Sequence, residues 1–466
     1  MNILMVASEA TPFAKTGGLA DVMGALPAAL VARGERVAVV LPAYRENVYP
    51  TAPREAYDRL WIPLGSGYTA QITLATERGV DFFFVNCPAL FDRDGIYGHT
   101  DDSLRFAVLS RAALDVARYL FPPHLIHCHD WQSALVPVYM REHFRGDPTF
   151  SGVKVLLTIH NLGYQGIFPA ATLAPLALDP RLFNPGQLEF FGKLNFLKAG
   201  IAWSDAISTV SKGYAREIQT PEYGFGLDGF LRGHGPVEGI LNGADYTEWN
   251  PEHDPFIARN YSADDLGGKR ECKRALLAEL GLPSDALHRP LFAIVSRFAA
   301  QKGFDLIADV APQLLQQYLA LAVLGSGDAP YESMFRDLAQ IYPQQVALRI
   351  GYDNALSHRI EAGADMFLMP SYYEPCGLSQ MYSLRYGTVP VVRATGGLDD
   401  TIDEETGFKF QAYSGSALLE AIGSALDAYN DTDRWMIRMR AGMRKDFSWS
   451  TSAAEYMRLY RRLRAG

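Results

Sequence analysis

In "SRFAAQKG", residues 296–303, Arg297 and Lys302 stand just after the apolar run "LFAIV". A planar guanidinium fork and a compact ammonium in one strand-to-helix loop can together hold a diphosphate. Each charge-assisted hydrogen bond is worth roughly 1.5 to 3 kcal/mol. Such donors count most against a leaving group that gains charge as its bond breaks. Two ordinary surface cations would look the same in isolation, so the neighbouring motifs matter. "EPCGLSQ", residues 374–380, follows the apolar run "DMFLMPS". Glu374 can accept hydrogen bonds from a sugar hydroxyl, or serve only as a carboxylate that favours a helix start. Backbone N–H groups of Cys376, Gly377 and Leu378 would open the next helix, an arrangement that attracts phosphate. "ATGGLDD" repeats the theme with Thr395, Gly396 and Gly397.

The first half of the chain carries a matching set. "KTGGLADV" places Lys15, Gly17, Gly18 and Asp21 in one turn after "NILMVAS". It fits neither GxGxxG nor GxxxxGK[ST], so a dinucleotide fingerprint and a P-loop are both disfavoured. "HLIHCHDWQ" puts His127 and His129 on one strand face with Asp130 and Trp131 adjacent, which raises a metal reading. No further His/Cys/Asp set at ligand spacing supports it, and no metal is expected. "LLTIHNLGYQG" sets His160 and Asn161 just past a strand, where a histidine can face a ligand. "DRDG", residues 92–95, mimics a metal-nucleotide element but reads more simply as an exposed turn. Most of the aromatic residues belong to cores by size and polarity. Trp131, Tyr164 and Tyr352 fall beside the polar motifs, where they could stack on a sugar or an adenine.

These residues need strands to place them. "NILMVAS", "RVAVVLP", "DFFFVN", "HLIHCHD", "VKVLLTIH" and "AISTVS" are short apolar runs separated by amphipathic stretches, as parallel strands in βαβ units require. The rhythm pauses in "LNGADYTEWNPEHDP", residues 241–255, and restarts with "LFAIVSRF", "LALAVLG", "VALRIG", "DMFLMPS" and "TVPVVRATGG". The reading is two doubly wound α/β domains, residues 1–243 and 244–445, with a C-terminal helix over 446–466 returning to the first. Domains of this class bind ligands at the carboxyl ends of their strands, here expected to face a central cleft.

A chain of 466 residues exceeds what one core usually organises. Its net charge of −9 argues against nucleic acid or an anionic membrane as a general partner. The four cysteines are scattered without a CxxC pair, which fits a reducing cytoplasm. The apolar start lacks a basic region and reaches Ser8 and Glu9 too soon for a signal peptide. No later apolar run approaches the roughly 20 residues of a membrane helix.

Taken in order, "KTGGLADV", "HCHDWQ", "TIHNLGYQG", "STVSKGYAREI", "LNGADYTEWNP", "SRFAAQKG", "EPCGLSQ" and "TGGLDDT" resemble the bacterial glycogen synthases and plant starch synthases, from Met1 almost to the C-terminus. The resemblance implies a GT-B fold of two Rossmann-like domains. It implies a retaining transferase that moves α-glucose from ADP-glucose to the non-reducing 4-hydroxyl of an α-1,4-glucan, such as glycogen or a malto-oligosaccharide. ADP-glucose is then a co-substrate, and no cofactor is implied. By the same resemblance, Lys15, Gly17 and Gly18 line the nucleotide-sugar site, Arg297 and Lys302 hold the diphosphate, and Glu374 contacts the donor glucose. Asp21, Asp130, His160 and Asn242 lie around donor and acceptor, and Tyr352 near the adenine. Tyr372 departs from the arginine common in relatives. Tyr382 stands where a related superfamily carries a second glutamate, as expected for this family. Two rival readings fit the same residues: a UDP-glucose-dependent transferase of the same fold, and a glycan-binding regulator without activity.

Overall fold

The computed structural model describes residues 1–465. It divides into two compact units, the first comprising Met1–Gly243 together with the chain from Trp449 onward, the second Ala244–Ser448. Each unit is built on a sheet whose buried strands are the apolar runs of the sequence.

The first unit holds a nine-stranded sheet. Its strands are β1 (Asn2–Val6), β2 (Arg36–Pro42), β3 (Arg54–Ile62), β4 (Tyr68–Glu77), β5 (Val80–Asn86), β6 (Leu125–His129), β7 (Lys154–Ile159), β11 (Ala206–Thr209) and β12 (Val237–Gly239). A separate small sheet is formed by β8 (Ile167–Pro169), β9 (Glu189–Phe190) and β10 (Lys193–Asn195). The large sheet runs β12-β11-β7-β6-β1-β2-β5-β4-β3. All neighbours are parallel except β5 with β4 and β4 with β3. That antiparallel extension is not evident as apolar runs. β3, "REAYDRLWI", is exposed along most of its length, and β4 alternates polar and apolar residues, as a strand wet on one face does.

The helix Gly18–Val31 covers one face of this sheet. It buries Leu19, Val22, Met23, Leu26 and Leu30 in the same core as Ile3, Met5, Val37 and Val39. The C-terminal helix Trp449–Ala465 enters that core through Trp449, Ala453, Tyr456, Met457 and Tyr460. Gly243 makes the entry possible: a Cβ there would stand 2.6 Å from the backbone of Trp449.

The second unit is a six-stranded, all-parallel sheet of β13 (Leu291–Val295), β14 (Ala320–Gly325), β15 (Val346–Ile350), β16 (Met366–Met369), β17 (Val389–Arg393) and β18 (Phe408–Phe410). The order β15-β14-β13-β16-β17-β18 reverses direction between β13 and β16. Ligands of doubly wound sheets bind outside the strand ends at such a reversal. The first unit reverses in the same way between β1 and β6.

Candidate active site

The second unit brings its sequence-derived residues to that reversal. Arg297 and Lys302 follow β13, and Glu374 follows β16, its neighbour in the sheet. Lys302 closes a short 3-10 turn, Ala300–Lys302, ahead of the helix Phe304–Leu314. Its Nζ donates to Glu374 Oε2 at 2.6 Å. Ser371 Oγ donates to the same oxygen at 3.2 Å, and Glu374 is 5% exposed. The guanidinium of Arg297 is exposed and makes no ion pair or hydrogen bond to another described residue. The paired Lys302 therefore touches a buried carboxylate, and the exposed Arg297 stands earlier in the same loop after β13.

Close backbone packing holds this arrangement. Gly303 has φ +73°, and a Cβ there would lie 2.0 Å from the carbonyl oxygen of Pro370. Gln301 ties the two loops: its carbonyl accepts from Tyr372 N at 2.8 Å, and its Nε2 donates to Tyr373 O at 3.1 Å. The backbone N–H of Gly397 donates to Glu374 O at 3.0 Å. A Cβ on Gly397 would meet Cys376 O at 2.1 Å. Thr395 is buried as the N-cap of Gly396–Thr401, so the "TGG" motif braces the Glu374 loop. The helix expected to open at "EPCGLSQ" begins only at Ser379, with Leu378 at its N-cap. Glu374 to Gly377 form a turn instead, with Gly377 at φ +71°. Gln380 Nε2 donates to the carbonyls of Cys376 and Gly377, both at 3.0 Å. Tyr352, after β15, is 82% exposed, open to a flat ligand.

In the first unit, β1 leads into the "KTGG" turn. Glu9 organises it: its carboxylate accepts from Thr16 N at 2.6 Å, Gly17 N at 3.1 Å and the Tyr97 hydroxyl at 2.7 Å. Lys15 Nζ donates to Asp21 Oδ1 at 2.6 Å. A Cβ added to Gly17 or Gly18 meets nothing within 4 Å, so the space above these residues is open. Glu9 and Tyr97 were not singled out in the sequence. Glu9 carried a signal, an acidic residue directly past a strand end, whereas Tyr97 is remote in sequence and carried none.

Across the reversal, Asp130 follows β6 with φ 56°, an uncommon conformation for a non-glycine residue. It turns its Oδ1 to accept the backbone N–H of His160 at 2.7 Å. Burial raises the Asp130 pKa to about 7, against the lowering effect of the His160 and Asn161 amides. Burial also lowers that of His160, to about 3, so its imidazole is neutral at physiological pH. His160 Nε2 lies 3.0 Å from His129 Nδ1. Asn161 Oδ1 accepts from Gly163 N at 2.9 Å. Asn242 is 6% exposed, with Oδ1 lacking any partner among the described residues.

The reading of Trp131 changes. Trp131 is not an open stacking platform: it is buried, edge-on to Phe106 and packed with Phe168 and Phe196. Gly166 lies against its ring, where a Cβ would come within 2.4 Å. Tyr164, by contrast, is 57% exposed. His127 is taken up in hydrogen bonds, Nδ1 with the Tyr460 hydroxyl and Nε2 with Thr158 Oγ1. Among the described residues no group of three or more His, Cys, Asp or Glu could hold a metal ion. Asp92 and Asp94 of "DRDG" instead pair with Arg45.

Residues 2–233 match the family model described as the starch synthase catalytic domain, and residues 284–441 match glycosyl transferases group 1. A glycogen synthase of Koribacter versatilis is 52% identical, covering 99% of this chain and 98% of that protein. This chain belongs to the glycogen synthase family. Another family member, from Myxococcus xanthus, is 48% identical over 99% of both chains. The catalytic domain of starch synthase IV from Arabidopsis thaliana, solved with ADP and acarbose, superposes with a TM-score of 0.93 at 35% identity, covering 100% and 99% of the two chains. A sucrose-phosphate synthase from Thermosynechococcus elongatus shares the fold at TM-score 0.64 and 21% identity. The two Rossmann-like units are those of the GT-B fold. No described helix is long and apolar enough to cross a membrane.

Proposed function

We propose that this glycogen synthase family member transfers α-glucose from ADP-glucose to the non-reducing 4-hydroxyl of an α-1,4-glucan with retention. The observation that carries the reading is the contact of Lys302 with Glu374 at the strand reversal of the second unit, in the loop that also carries Arg297. Arg297 and Lys302 hold the diphosphate. Glu374 accepts from hydroxyls of the donor glucose, Tyr352 stacks on the adenine, and the Cys376–Leu378 and Thr395–Gly397 turns approach the phosphates. In the first unit, Gly17 and Gly18 let the backbone come close to the donor, with Lys15 and Asp21 beside it. His160, Asn161, Asp130 and Asn242 surround the sugar, and Trp131 shapes the site from behind.

The chemistry follows from these charges. As the bond from the anomeric carbon to the diphosphate oxygen breaks, its electron pair moves to the diphosphate, and Arg297 and Lys302 stabilise that charge. A preorganised donor of this kind is typically worth about 2.7 to 4 kcal/mol. The acceptor hydroxyl attacks from the face the diphosphate leaves, and its proton passes to a phosphate oxygen. Retention needs no covalent glucosyl carboxylate in this course. Supplying radiolabelled ADP-glucose or UDP-glucose with glycogen tests the reading: label should enter the polymer from the ADP donor in preference. Preference for the UDP donor would favour the first rival. No incorporation from either, with glycogen still bound, would favour a regulator.

A further inference from the structure

Behind His160 stands a second histidine with no role in the account above. His129, at the end of β6, is wholly buried. Its Nδ1 lies 3.0 Å from Nε2 of His160, while its own Nε2 is buried without any hydrogen-bond partner. Its backbone is pinned by Ser133, whose Oγ accepts from His129 N at 2.7 Å and donates to His129 O at 2.9 Å. The ring of His127 packs on it, with centroids 4.0 Å apart, and is itself fixed by Thr158 and Tyr460.

These contacts decide which nitrogens carry protons. Burial lowers the pKa of both His129 and His160, so each neutral ring has one N–H and one acceptor nitrogen. If His160 donated from Nε2, His129 would accept at Nδ1 and keep its proton on Nε2, an N–H buried with nothing to bond. The reverse assignment leaves only an unused lone pair there, and an orphaned buried N–H is the rarer fault. His129 therefore donates from Nδ1 to His160 Nε2, and His160 carries its proton on Nδ1. That Nδ1 has no hydrogen-bond partner among the described residues.

We propose that His129 is a positioning residue that locks His160 in the Nδ1–H tautomer, so that His160 offers a hydrogen-bond donor, not an acceptor, to an oxygen of the bound sugar. The proposal rests on the reading of His160 as a sugar-facing residue. Without the lock a neutral imidazole exchanges tautomers and meets the same oxygen with a lone pair for part of the time.

Imidazole 15N labelling with long-range 1H–15N correlation reports the tautomer of the purified enzyme directly, and the signals lost in His160→Gln identify that ring. In the wild type, His160 should be protonated on Nδ1 with no titration between about pH 6 and 8. His129→Asn keeps an N–H donor at the Nδ1 position, so it should preserve both the tautomer and kcat/KM. His129→Phe keeps a ring but no donor. It should give mixed tautomers at His160 and a kcat/KM for glucosyl transfer lower by roughly 10- to 100-fold. A proton on Nε2 of His160 in the wild type overturns the proposal, and so does an unchanged His160 spectrum in His129→Phe. Should the phenylalanine variant not fold, the wild-type tautomer and the asparagine variant still decide. The expected tautomer together with wild-type activity in His160→Gln would remove the sugar-facing role of His160 and leave the lock standing.

Discussion

Lys302 Nζ lies 2.6 Å from Glu374 Oε2, so the cation assigned to the diphosphate and the carboxylate assigned to the sugar hold each other. Removing either leaves the other poorly satisfied in a buried setting. Lys302→Ala is expected to lower kcat by about 10²- to 10³-fold and stability by roughly 1 to 3 kcal/mol. Adding Glu374→Gln to it should restore much of the stability and none of the activity. Thermal unfolding and steady-state kinetics on the single and double variants separate the two effects. Recovery of turnover in the double variant would mean that Lys302 serves Glu374 and not the diphosphate.

Arg297 makes the complementary case. Its guanidinium is exposed and unpaired, so Arg297→Ala should change stability by no more than about 0.5 kcal/mol while reducing turnover by orders of magnitude. Arg297→Lys should rescue only in part, because an ammonium cannot reproduce a bidentate fork. Near-wild-type kcat in a folded Arg297→Ala enzyme would rule out the phosphate role.

Both cations were legible because they stand directly after an apolar strand, and a doubly wound sheet sends such loops to its ligand edge. His160 and Asp130 were legible for the same reason. The contacts between motifs were not. Nothing local in "SRFAAQKG" says that Lys302 meets Glu374, since that pairing depends on β13 and β16 being neighbours in the sheet. Trp131 stands at the right position in the chain yet points into an aromatic core, because side-chain direction after a strand is set by packing. The strands β3 and β4 escaped because a half-wet antiparallel edge has no continuous apolar run. Glu9 follows β1 as Asp130 follows β6, but a single carboxylate near the start of a chain carries no motif of its own.

The glycines separate packing from ligand space. At Gly397 a Cβ would strike the Cys376 backbone at 2.1 Å, so Gly397→Ala should cost roughly 1 to 3 kcal/mol of stability by overpacking as well as activity. At Gly18, the first residue of its helix, a Cβ meets nothing within 4 Å. Alanine there should maintain stability or raise it by up to about 1 kcal/mol. It should nonetheless raise the KM for ADP-glucose if the open space above Gly18 takes the donor as proposed, because the methyl would occupy it. A Gly18→Ala enzyme with unchanged kinetics would show that the "KTGG" turn does not approach the donor.

Asp130 gives a pH signature with a defined sign. Burial raises its pKa from the ordinary 3.8 to about 7. The stability it contributes is therefore fully present below about pH 4 and lost as pH rises through 7. His160 runs the other way: burial lowers its pKa from 6.5 to about 3, so its contribution is present above about 6.5 and lost as pH falls toward 3. Asp130→Asn removes the first slope, keeps a carbonyl to accept from the His160 N–H, and leaves the second slope alone. Relative to the wild type, the variant should gain stability as pH rises from 4 to 7, by up to about 1.4 kcal/mol per pH unit for one proton, and the difference should level off above 8. Thermal midpoints measured across pH 4.5 to 8.5 test this. Parallel curves would mean that Asp130 is already ionised in the folded state across this range, with its two backbone donors outweighing burial. The loop carrying His160 would then be held by a full charge throughout the working pH range.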